Sequence, residues 1–148
     1  MMLAPGTQVS VLGACPRHLP PNAIPMGACE AGFPSPAQDY VEGRLDLNEK
    51  LIQHKEATFF VRVQGHSMTG AGIRDGDLLV VDRAMRPDIG KIVVAEIEGG
   101  LAVKTLAQVN GEPYLASENP AFRPIPIDPD AGITIWGVVT YCIHKVAN

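Results

Sequence analysis

The sequence predicts a mostly-β fold: a curved or barrel-like sheet preceded by an extended, proline-rich N-terminal arm. Two observations point to the sheet and one to the arm. Short apolar or alternating runs are separated by Gly- and Asp-containing turn signals, as in sandwiches and barrels. A single short stretch has the pattern of a helix. Seven of the thirteen prolines (positions 5, 16, 20, 21, 25, 34 and 36) fall in residues 1–38, and the first 30 positions carry only Arg17 and Glu30 as full charges. Proline fixes φ and removes a backbone donor, so this arm reads as extended and largely unstructured. Residues 39–148 then form the folded domain.

Within Tyr40–His54 the helix signal is Asp46 as a cap, with Leu47, Leu51 and Ile52 on one face. Ala57–Val63 reads as a strand, with Phe59, Val61 and Val63 on one side and Phe60 and Arg62 on the other. Asp75-Gly76 marks a turn before the apolar run Leu78–Val81. Lys91–Ile97 and Leu101–Leu106 flank Glu98-Gly99-Gly100 as a hairpin, and Tyr114–Ala116 makes another short strand. Asn119–Pro129 carries four prolines and reads as a loop or edge segment. In Ile133–Ile143 the odd positions Ile133, Ile135, Val139, Tyr141 and Ile143 are expected on one face, opposite Thr134, Trp136, Thr140 and Cys142.

At 148 residues the chain has the size of one domain with a genuine core. A net charge of −4 gives it no electrostatic footprint for nucleic acid, so any role near DNA would run through a protein partner. Three widely spaced cysteines (Cys15, Cys29, Cys142) argue against a disulfide framework or a Cys-paired zinc site and fit a reducing compartment. The N-terminus lacks the basic start of a signal peptide, and no run is long enough to span a membrane. A cytoplasmic protein without a cofactor is expected.

Ser67 stands out for its setting, Gly65-His66-Ser67-Met68-Thr69-Gly70, at the join between a strand and a Gly-rich turn. Small neighbours let a substrate backbone approach, although many serines in such turns are only turn residues. The pattern is not the G-x-S-x-G elbow, because position 69 is threonine. A serine hydroxyl needs a base. His66 would point away from Ser67 on an extended backbone, and nothing selects His18, His54 or His144 as a partner. Lys104, with Ala102 and Leu106 as its neighbours on the same face, is either an edge charge or a buried amine. Burial would disfavour the ammonium and make the amine a usable base. The Asp75, Asp77 and Asp82 cluster reads as turn residues, with spacing that does not fit a calcium loop.

Phe33-Pro34-Ser35-Pro36-Ala37, Asp39-Tyr40-Val41-Glu42, Leu45-Asp46-Leu47-Asn48 and the Gly-x-Ser-Met of residues 65–68 resemble the UmuD group of self-cleaving SOS mutagenesis proteins. The resemblance continues through Gly72-Ile73, Asp75-Gly76-Asp77-Leu78-Leu79-Val80-Val81-Asp82, Val103-Lys104 and Gly137-Val138-Val139. It covers Gly32 to the C-terminus and extends to LexA-type repressors and signal-peptidase-type serine–lysine peptidases.

The resemblance implies a LexA/signal-peptidase-like curved sheet, Ser67 as nucleophile, Lys104 as general base, and Ala31–Gly32 as the self-cleavage bond. It further implies a homodimer, a RecA–single-stranded-DNA filament as cleavage activator, and a UmuC-type error-prone polymerase as partner of the processed form. Ala31 before the glycine, with Cys29 two residues upstream, looks more LexA-like than UmuD-like. The proline-rich arm does not suit a helix-turn-helix domain, which sets the chain apart from a repressor. Competing readings are a β-rich interaction module that never cuts, a LexA-like repressor fragment, and a leader peptidase acting on other chains.

Overall fold

The computed structural model describes residues 7–14, 23–26 and 43–147. The strands are β1 (Thr7–Ala14), β2 (Ala23–Met26), β3 (Gly43–Asp46), β4 (Thr58–Gln64), β5 (Leu78–Asp82), β6 (Ile92–Ile97), β7 (Gly100–Val109), β8 (Glu112–Ala116), β9 (Ile125–Pro126) and β10 (Thr134–Ile143). The mostly-β prediction holds. Antiparallel pairing runs β1-β4-β5-β10-β6-β7, and a further β1–β7 pairing closes these six strands into a barrel. β8 and β9 extend the sheet beyond β7, while β2 pairs with β3 separately.

Local signals account for most of these elements. Asp46 caps α1 (Leu47–Leu51), its carboxylate accepting from Asn48 N–H at 2.9 Å. Of the apolar residues expected on the helix face, Ile52 is buried but Leu47 is exposed. The β6–β7 hairpin turns through Glu98 and Gly99, both at positive φ (51° and 83°), as a tight two-residue turn requires. β9 is the edge segment expected in the proline-rich stretch.

The barrel interior is built from Val61, Val63, Met68, Leu79, Val81, Val94 and Val103, with Val9 of β1 packed against them. A second cluster, with Val93, Ala95, Ala102, Leu106, Leu115 and Val138, lies on the opposite face of β6 and β7, against β8. Alternate residues of β7 thus serve two cores. Val103 points into the barrel, and Ala102 and Leu106 point into the second cluster.

Two regions depart from the sequence reading. Residues 7–14 and 23–26, inside the segment expected to be largely unstructured, are strands. Thr7-Gln8-Val9-Ser10-Val11 alternates branched and polar residues and finds its partner in β4, far along the chain. β10 does not keep a single alternation. Its register shifts between Ile135 and Gly137 against β6, and between Val139 and Tyr141 against β5. Each extra residue turns the following side chains to the other face. Trp136 and Val139 therefore share the barrel cluster, Ile135 and Val138 the other, and Tyr141 and Ile143 are exposed.

The three aspartates are structural. Asp75 accepts from Gly65 N–H at 2.9 Å, and Asp82 accepts from Ala84 N–H at 2.8 Å and pairs with His54 at 2.6 Å. Asp77 takes Arg74 N–H at 2.8 Å, the Cys142 thiol at 3.1 Å and His144 at 2.6 Å. Burial alone would raise the Asp77 pKa, but these hydrogen bonds together hold it below the usual carboxylate range. The Cys142 thiol is pushed up to about 12 by desolvation and by Asp77, which disfavours its thiolate.

Candidate active site

Ser67 lies where the chain leaves β4, after Gly65 at φ 108°, a backbone conformation that favours glycine. Its side chain is fully buried. Thr7 covers it from β1. Thr7 N–H donates to Ser67 Oγ at 2.5 Å, Ser67 Oγ donates to Thr7 Oγ1 at 2.6 Å, and Ser67 N–H donates to the same oxygen at 2.8 Å. Thr7 also pairs with Val103, the residue before Lys104, so the N-terminal end of β1 bridges the serine turn and β7.

Lys104 is 1% exposed, which rules out the edge-charge reading. β7 is an interior strand, paired with β6 on one side and with β8 and β1 on the other. Its Nζ donates to Ser117 Oγ at 2.7 Å and sits 5.8 Å from the centre of the Phe122 ring. Burial lowers the Lys104 pKa, favouring the neutral amine.

Segment 117–119 ties the two residues together. Glu118 C=O accepts from Gly70 N–H at 2.8 Å, and Asn119 Nδ2 donates to His66 C=O at 3.1 Å, both from the serine turn. On the lysine side, Ser117 holds the amine and Glu118 Oε1 accepts from Thr105 Oγ1 at 2.9 Å. The serine turn and the lysine strand are thus fixed to one polar clamp. A buried hydroxyl on a turn and a buried amine with a depressed pKa can act as nucleophile and base once a substrate carbonyl is presented.

Ser67 and Lys104 are thus linked through segment 117–119, while Ala31 and Gly32 lie outside the described residues. Thr7 and the 117–119 clamp were not singled out by the sequence. The only hint was a polar Ser-Glu-Asn run directly after a strand. His54 and His144 are committed to Asp82 and Asp77. A cavity of about 540 Å³, lined by Leu51, Thr58, Asp82, Met85, Ile92 and Tyr141 among others, shares no lining residue with Ser67 or Lys104.

The Peptidase S24-like pattern matches residues 24–140, most of the chain. The chain belongs to this family. It is 50% identical over 119 residues to Protein ImpA of Salmonella typhimurium, covering 79% of each chain. It is 46% identical over 114 residues to Protein MucA of Escherichia coli, covering 76% of this chain and 77% of MucA. To the LexA repressor of Photorhabdus laumondii it is 38% identical over 126 residues, covering 84% of this chain and 62% of the repressor. The resemblance to the UmuD and LexA group is therefore confirmed at the level of the family.

The buried amine has a stability consequence. Unfolded Lys104 binds a proton up to its ordinary pKa of 10.5, whereas the folded state gives it up at lower pH. Between those two values the unfolded chain holds more protons, so this group makes stability rise with pH, and below both values its cost is fully present. Lys104→Met is expected to be more stable than the parent at neutral pH, by up to about 4 kcal/mol, as when a buried charge is replaced by an apolar side chain of similar volume. Urea unfolding across pH should show the difference shrinking as the pH approaches 10.5.

Proposed function

We propose that this chain is an SOS-response accessory subunit of translesion DNA synthesis that cuts its own Ala31–Gly32 bond. Ser67 Oγ attacks the Ala31 carbonyl carbon while neutral Lys104 accepts the hydroxyl proton. The tetrahedral intermediate collapses, the bond to Gly32 nitrogen breaks, and the Lys104 proton passes to that amine. Water then hydrolyses the Ser67 ester, releasing a carboxylate at Ala31 and regenerating the serine. The Ser67 N–H would serve as one donor to the intermediate's oxyanion.

The observation that carries this reading is the shared anchorage of Ser67 and Lys104 on segment 117–119, with both side chains buried. Ala31 suits a narrow pocket, and Gly32 leaves the carbonyl approachable. Similarity to ImpA and MucA supports the mutagenesis role. On this reading the protein is a cytoplasmic homodimer. Its cleavage is stimulated by a RecA–single-stranded-DNA filament, and the processed form joins a UmuC-type polymerase.

The test is self-cleavage of purified full-length chain, followed as the appearance of a Gly32 N-terminus. The base must be neutral, so the rate should climb with pH until Lys104 is deprotonated. A rate that stays flat between about pH 6 and about pH 10, with chemistry limiting, contradicts a lysine base.

Ser117→Ala is a finer test of the same site. The Ser117 oxygen accepts from the amine and so favours its charged form. Without it the rising limb should move to lower pH, and the plateau rate should fall roughly tenfold as the amine loses its anchor. Ser117→Thr should restore much of both. An unchanged profile for Ser117→Ala would remove Ser117 from the mechanism.

A further inference from the structure

One residue of β1 makes three hydrogen bonds to the hydroxyl and backbone N–H of Ser67. Thr7 N–H takes a lone pair of Ser67 Oγ, and Thr7 Oγ1 takes both the Ser67 hydroxyl proton and the Ser67 backbone N–H. The hydroxyl proton is thus directed at threonine. The Ser67 N–H, placed to receive an oxyanion, is already occupied by an uncharged oxygen. Strand pairing extends the occupation. Gln8 to Val11 lie opposite Gln64 to Val61 of β4, and Thr7 and Gln8 lie opposite Val103 and Ala102 of β7. An extended substrate would use the same β4 and β7 edges.

We infer that Thr7–Ala14 is a built-in pseudo-substrate strand, which fills the cleft at Ser67 and must withdraw before the scissile bond can enter. The inference rests on the proposed attack of Ser67 on Ala31. Ser67 is fully buried and hydrogen-bonded to Thr7, so a second peptide that reached its Oγ would have to displace Thr7. Thr7 meets Ser67 through its backbone N–H and its side-chain hydroxyl.

The strand is also built to leave. Of its eight residues only Thr7 is buried, Val9 is half-buried, and Val11 and Leu12 are 42% and 51% exposed. Its register against β4 breaks between Val11 and Gly13. A strand with so little apolar burial opens more readily than β5, where every residue but Leu78 is buried. Cleavage is then limited by the fraction of chains with the cleft empty, and loosening β1 raises that fraction.

Two measurements on the full-length chain test this. In the first, Val9→Asp, which weakens the seating of β1 without touching Ser67 or Lys104, should cleave at least about tenfold faster than the parent. Ser10→Cys with Arg62→Cys, at facing positions of β1 and β4, should stop cleavage when oxidised and recover on reduction. A folded Val9→Asp chain no faster than the parent, or an oxidised chain as fast as the reduced one, overturns the inference.

The second measurement needs no cleavage. In a Lys104→Ala background, the thiol of Ser67→Cys is alkylated with iodoacetamide and quantified by peptide mass spectrometry. Adding Val9→Asp should speed alkylation by at least about tenfold. Equal rates overturn the inference. If no chain ever yields the Gly32 N-terminus, the self-cleavage reading fails separately, while alkylation still decides whether β1 covers Ser67.

Discussion

Lys104→Ala is expected to slow the appearance of the Gly32 N-terminus by about 10²- to 10⁴-fold, the range supplied by a positioned general base. The expectation follows from burial. An amine with 1% exposure, fixed by Ser117 and facing an apolar cluster, is held in its neutral form at a lower pH than a lysine in water. Alanine leaves the serine turn and its clamp to segment 118–119 in place, so the fold should persist while the proton acceptor is lost. Lys104→Arg should fail as badly, because a guanidinium stays protonated. The parent's rising pH limb should vanish in both variants. Time courses at several pH values, read by mass spectrometry, check this, and a variant with a parental rate and profile would mean another group takes the proton.

Gly70→Ala should weaken both the fold and the cleavage. A Cβ at Gly70 would lie 2.5 Å from the backbone oxygen of Glu118, the atom that accepts from Gly70 N–H. That atom belongs to main chain and cannot swing aside, so the serine turn and segment 117–119 must separate. The expected cost is about 1–3 kcal/mol, as for other overpacked sites, read as a lower urea midpoint. Moving Glu118 also moves Ser117 and the amine it holds, so cleavage should fall by roughly ten- to a hundredfold. Gly100→Ala is the control, since the nearest atom to a Cβ there is the Ile97 backbone oxygen at 3.7 Å, an ordinary contact. Parental stability and rate for Gly70→Ala would show that the clamp does not set the dyad.

The elements legible in the sequence are those governed by nearby residues. Asp46 fixed the start of α1, Glu98-Gly99 the hairpin, and alternation the strands β4, β6 and β7. Lys104 was legible as a choice between edge charge and buried amine, and only the pairing of β7 with its neighbours decides it. The rest depends on contacts distant in sequence. Thr7 meets Ser67 across 60 positions, which composition in a proline-rich segment does not reveal. Bulges in β10 moved Tyr141 and Ile143 to the surface despite their regular spacing. The acceptor for Lys104, Ser117, is an ordinary serine in sequence and gains its role only when β8 is paired with β7.

The central claim is that Ser67 cuts the chain before Gly32. The most direct measurement is the intact mass and N-terminal sequence of the products when parent and Ser67→Ala are incubated side by side at alkaline pH. The account predicts a new N-terminus at Gly32 from the parent and a single uncut chain from Ser67→Ala. A Gly32 N-terminus from Ser67→Ala, or an uncut parent even with a recombinase filament on single-stranded DNA, would contradict it.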